Sequence, residues 1–160
     1  MSSPPIQIEA TGRSEQGHSR EINQDAFAVR HDLGLFVIAD GMSGHPDGEI
    51  ASAVAVEAVQ HFFAESGKIG PSDAAGPPGD PHAFLVAAVE HAHARIRTEA
   101  APIIPERRSR GTTIAAVHAE SSGFCIAHVG DSRVYRLRGR ARRLAPRSPV
   151  RGLLSTKVGT

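Results

Sequence analysis

A chain of 160 residues with 40% hydrophobic and 22% charged side chains can bury one core, and is too short to make two domains the first expectation. Its 18 basic side chains against 17 acidic leave a formal net charge of +1, which excludes a bulk electrostatic attraction to nucleic acid or to an anionic membrane. The single cysteine, Cys125, excludes an internal disulfide and, set in an apolar run, reads as a small buried hydrophobe.

From the N-terminus, Met1 to Thr11 carries two prolines and no basic-then-apolar secretion pattern, and no apolar run nears the roughly 18 residues that span a bilayer. A cytoplasmic location is expected. Ile6 to Ala10 and Asp25 to Val29 are short strand candidates, and the apolar run Leu33 to Ala39, bounded by turn residues, predicts a buried strand running into Asp40-Gly41. The period then changes. Ile50, Val54, Ala58 and Phe62 form one stripe, with Ala51, Ala55, Val59 and Phe63 beside it, predicting a helix from Gly48 to Glu65 with a broad buried face.

Ser66 to Pro81 is rich in Gly, Pro, Ser and Asp and reads as a loop, after which Asp80-Pro81 supplies an N-cap and a proline at the first helical position. The helix that follows places Phe84, Leu85, Ala88, Val89, Ala92 and Ile96 on one side and ends before Pro102 and Pro105. Gly111 to Ala119, Gly123 to Val129 and Arg133 to Leu137 are strand candidates separated by Glu120-Ser121-Ser122 and Gly130-Asp131, which predicts an antiparallel meander. Strands, two helices, then strands fit an α+β layered domain better than an alternating parallel α/β fold. Arg140, Arg142, Arg143, Arg147 and Arg151 follow no helical stripe and read as strand and solvated basic tail.

Three aspartates stand at strand ends: Asp25, Asp40 and Asp131. Taken singly, Asp40 before Gly41 and Asp131 after Gly130 each read as a turn, and Asp25 as an ordinary strand-end residue. Together they could converge, and clustered carboxylates without paired histidine or neighbouring cysteine favour magnesium or manganese over zinc. Arg20, five residues before Asp25, could clamp a phosphate bidentately, although in isolation it reads as a solvated surface arginine.

Ser19-Arg20-Glu21-Ile22-Asn23-Gln24-Asp25, then Asp40-Gly41-Met42-Ser43-Gly44-His45 with Gly48-Glu49-Ile50-Ala51-Ser52, then Gly111-Thr112-Thr113, then Gly130-Asp131-Ser132-Arg133-Val134-Tyr135, resemble in order the signatures of the metal-dependent protein phosphatases of the protein phosphatase 2C type. The resemblance implies a β-sandwich of two antiparallel sheets flanked by helices, and serine/threonine protein phosphatase activity by metal-activated water. It implies a binuclear manganese or magnesium site and, as partners, phosphorylated proteins, with a serine/threonine kinase or its substrates in the same pathway. By resemblance Arg20 matches the phosphate-binding arginine and Asp25 the acidic residue that orients the attacking water. Asp40 matches the carboxylate bridging two metals, Gly41 a backbone carbonyl ligand, and Asp131 a carboxylate at a third, weaker metal position. Gln24 stands where many members carry Glu. His45 is expected to be a satisfied or exposed histidine.

After Leu144 the family pattern continues through Asp-His-Ser, whereas this chain reads Ala145-Pro146-Arg147-Ser148-Pro149 and reaches Thr160 without the family's two later metal-binding aspartates. The expectation is an incomplete sandwich domain over 1–144 with a divergent basic tail over 145–160. Two dications about 4 Å apart repel by ~16 kcal/mol at an effective dielectric of 20, so fewer carboxylates predict weak metal binding and impaired turnover. The alternative is a pseudophosphatase that binds phosphoproteins or a regulator without hydrolysis. Missing late strands would also leave apolar surface and a sheet edge exposed.

Overall fold

The computed structural model describes residues 7–42, 47–69, 80–99, 111–120, 123–138, 140–143 and 152–157. Strands β1 (Asp25–Arg30), β2 (Leu35–Asp40), β3 (Ile114–Glu120), β4 (Gly123–Val129) and β7 (Gly152–Lys157) form an antiparallel sheet in the order β1-β2-β3-β4-β7, while β5 (Tyr135–Arg138) and β6 (Arg140–Arg143) form a separate two-stranded sheet. Helices α1 (Gly48–Ile69) and α2 (Pro81–Glu99) pack on one another and on the five-stranded sheet. The layered α+β class follows from that arrangement.

Strand register decides which side chains the helices cover, because alternate residues point to opposite faces. Leu35, Val37 and Ala39 of β2, Ala28 of β1, Ile114 and Ala116 of β3, and Cys125 and Ala127 of β4 share one core cluster with the helices. The helices contribute small side chains there, Ala55 and Ala58 from α1 and Ala88 and Ala92 from α2, which let them approach closely. Phe63 fills the remaining width, edge-on to Phe84 at 4.8 Å and to His118 at 4.9 Å between centroids. The buried stripe of α1 is therefore centred on Ala51, Ala55, Val59 and Phe63. Ile50, expected within it, is exposed, and Val54 and Phe62 are only partly buried.

Asp80 caps α2 as expected: its carboxylate accepts from the His82 N–H at 2.9 Å and its carbonyl from the Phe84 N–H at 3.1 Å. Cys125 is buried, and burial first, then Glu120 and Asp80, push its thiol up.

Five expectations are corrected. Residues 7–10 of the first strand candidate form no strand, because an alternating segment becomes one only where a neighbouring edge completes its hydrogen bonds. The strand expected from Leu33 starts at Leu35, since His31–Leu33 form a single 3-10 turn. The meander ends at β4: the next strand pairs with β6, and the edge of β4 is taken by β7. Within 145–160, read as a tail, Gly152–Lys157 thus forms a strand, its backbone supplying the ladder that the β4 edge requires. The Ser66 to Pro81 segment is helical through Ile69, and its remainder over 70–79, like His45, Pro102, Pro105, Ser121-Ser122, Arg147 and Arg151, lies outside the described residues. Among the described residues no helix is long and apolar enough to cross a membrane.

Candidate metal and phosphate site

Asp25 opens β1 and Asp40 closes β2, and the antiparallel register sets the two directly opposite each other. Both lie on the face away from the helices, at the end where the chain leaves the sheet. A cleft of about 260 Å³ opens there, lined by Arg13, Ser14, Asp25, Asp40 and Ser132 among others.

Further charges act on Asp40 beyond its facing partner. Burial pushes the Asp40 carboxyl up, the charge of Asp25 and a hydrogen bond with it push the same way, and Asp131 adds to them, while Arg20 opposes. Asp25, Asp131 and Arg20 are thus all within electrostatic reach of Asp40. The backbone around the cluster is tightly held. The Gln24 carbonyl accepts from the Gly41 N–H at 3.0 Å and from the Ser52 hydroxyl at 2.6 Å, tying β1, the turn after β2 and the first turns of α1 together. Gly41 has no room for a side chain: a Cβ there would lie 2.3 Å from the Gly48 carbonyl oxygen and 2.9 Å from that of Gln24. Upstream, the Asn23 carboxamide donates to Ser14 Oγ at 2.8 Å and accepts from the Asp25 N–H at 3.0 Å, while Gln16 donates to the carbonyls of Arg20 and Glu21 at 2.7 and 2.8 Å. These bonds set the loop carrying Arg20 against the start of β1.

The donor set matches a hard divalent cation in kind, since carboxylate and backbone oxygens are the ligands such ions take. It falls short in number: among the described residues no three Asp, Glu, His or Cys side chains converge closely enough to hold a metal ion. Electrostatic reach extends further than a metal–ligand bond, which is why Asp131 acts on Asp40 without joining such a group.

Sequence reasoning overlooked Arg13, Ser14, Thr113 and Ser132. Thr113 and Ser132 stand in quoted motifs, and only the fold shows that the Thr113 hydroxyl accepts the Asp40 N–H at 3.1 Å and meets Ser132 Oγ at 2.5 Å.

An antiparallel sheet backed by two helices carries a facing pair of carboxylates, Asp25 and Asp40, at the end of its open face. Residues 11–152 match the protein phosphatase 2C family. The chain is 32% identical over 138 residues to the serine/threonine protein phosphatase PstP of Mycobacterium tuberculosis, covering 86% of this chain and 24% of that protein. It is 27% identical over 133 residues to the serine/threonine phosphatase Stp of Listeria monocytogenes, covering 81% and 50%. Its fold superposes on a PstP catalytic domain crystallised with two manganese ions, with a TM-score of 0.67 at 31% identity, covering 83% of this chain and 53% of that one. The chain belongs to the protein phosphatase 2C family, and it spans between about a quarter and about half of the length of these relatives.

Proposed function

We propose that this chain serves a metal-dependent serine/threonine protein phosphatase activity of reduced strength, acting in the cytoplasm on phosphoserine and phosphothreonine proteins that a serine/threonine kinase produces. The observation that carries this reading is the facing pair Asp25 and Asp40, with Arg20 and Asp131 in electrostatic reach. Asp40, the Gly41 carbonyl and Asp131 would hold manganese or magnesium. When bound, such a cation supplies Lewis-acid polarisation of the phosphoryl group and neutralises its charge. Arg20 offers a planar fork of donors that fits two phosphate oxygens. Asp25, one strand away, would accept a hydrogen bond from water and orient it in line with phosphorus.

One observation favours a second reading, a pseudophosphatase that holds phosphoproteins without turning them over: no group of three ligands converges among the described residues. Manganese-dependent release of phosphate from a phosphothreonine peptide separates the two. Hydrolysis that disappears in Asp40→Ala supports the enzyme. Peptide binding that needs Arg20 but gives no phosphate supports the binding module, and absence of both overturns the pair.

A further inference from the structure

The two carboxylates expected to share a cation field, Asp40 and Asp131, come from strands that are not neighbours: β2 and β4 flank β3. Their separation is therefore set by whatever joins the end of β2 to the turn after β4. Thr113, just before β3, is the residue that touches both. Its N–H donates to the Asp40 carbonyl at 2.8 Å, and its hydroxyl oxygen accepts the Asp40 N–H at 3.1 Å, so one residue holds both polar groups of the Asp40 backbone. The same hydroxyl lies 2.5 Å from Ser132 Oγ, at the short end of the O–H···O range. A threonine hydroxyl has one proton and two lone pairs, enough for both bonds at once.

The methyl side of Thr113 is engaged as well. Gly130 has φ +94, and a Cβ there would sit 2.8 Å from Thr113 Cγ2, so the turn that presents Asp131 is seated on the Thr113 methyl. The Thr113 carbonyl accepts the Thr112 hydroxyl at 2.9 Å.

We propose that Thr113 is a positioning residue, whose hydroxyl ties the strand end carrying Asp40 to the turn carrying Asp131 and so sets the separation of the two carboxylates. The cation-binding half of this inference rests on the function proposed above; the mechanical half does not. Valine at this position keeps the methyl and puts a second methyl in place of the hydroxyl, removing both hydroxyl bonds, whereas serine keeps the bonds and removes the methyl. Amide hydrogen exchange of the whole chain reads the mechanical half without any metal. In Thr113→Val the Asp40 amide exchanges about five- to tenfold faster, the worth of one hydrogen bond, and the Asp131 and Ser132 amide resonances shift. In Thr113→Ser the Asp40 amide returns to within about twofold of the original rate.

Calorimetric titration with manganese ion alone reads the second half. Thr113→Val weakens manganese binding about tenfold and Thr113→Ser restores it, the size expected when a residue that orients a ligand is lost. Unchanged Asp40 exchange in Thr113→Val overturns the inference, as does a serine variant no better than valine in both measurements. If the valine chain does not fold, Ser132→Ala removes the link while leaving Thr113 in place. It then weakens manganese binding and spares Asp40 protection, and a wild-type response in both overturns the inference. An unaltered chain that binds no manganese counts against the metal-dependent reading, and the positioning role is then decided by exchange alone.

Discussion

The two faces of the five-stranded sheet are made by alternate residues of the same strands, and they differ sharply. Leu35, Val37 and Ala39 are 0%, 1% and 2% exposed beneath the helices, whereas Ile38, between two of them, is 47% exposed and Phe27 across from it is 41% exposed. The covered face supplies the hydrophobic stabilisation of the described fold. The open face carries Asp25 and Asp40 at its end, where charge and solvent access are tolerated. Stability and the proposed site thereby fall on opposite sides of one layer, so substitutions can address them separately.

The sharpest contrast is between neighbours on β2. Leu35→Ala is expected to lower the unfolding free energy by about 3 kcal/mol through lost transfer energy and a residual cavity. Ile38→Ala, half in solvent already, should cost less than about 1 kcal/mol. Urea denaturation of both variants checks this, and equal losses would break the distinction between the faces.

A smaller effect comes from His118, which lies on the covered side against Phe63 with Glu120 at 3.7 Å. Burial pushes its pKa down, and Glu120 only partly offsets that. The unfolded chain therefore binds this proton more readily than the folded one, so the contribution of His118 is full above the ordinary histidine range and is lost as pH falls through the lowered value. Between about pH 7 and about pH 5 the urea midpoint of the unaltered chain should fall more than that of His118→Phe. Parallel pH dependences would remove His118 from the account.

The smallest effect belongs to the open face, and its sign is opposite. Because the Asp40 pKa is raised by burial, by Asp25 and by Asp131, its favourable contribution is present below the ordinary carboxylate range and disappears as pH rises through the raised value. At neutral pH without metal, Asp40→Asn should stabilise the chain by a few tenths of a kcal/mol, a figure discounted for solvent screening. Thermal unfolding in a chelator measures it. Destabilisation would mean that Asp40 serves the fold rather than the site.

Much of the covered side was legible in the sequence, for reasons visible in individual residues. The apolar run into Ala39 needed a buried strand, the spacing of Ala51, Ala55, Val59 and Phe63 needed a helix, and Asp80-Pro81 announced the start of the next. The facing of Asp25 and Asp40 follows from a hairpin whose register the buried residues enforce. Strand β7 carried no comparable signal, because its place is set by the open edge of β4. The role of Thr113 was equally hidden: its hydroxyl reaches Asp40 across 73 positions and Ser132 across 19, and no local pattern encodes such bonds.

The central claim, that the open-face carboxylates form a divalent-cation site, is tested most directly by calorimetric titration of the whole chain with manganese beside Asp40→Ala. The expected result is measurable binding that weakens at least about a hundredfold in the variant, beyond what loss of a merely supporting residue causes. Absence of binding, or equal binding by both chains, would contradict it.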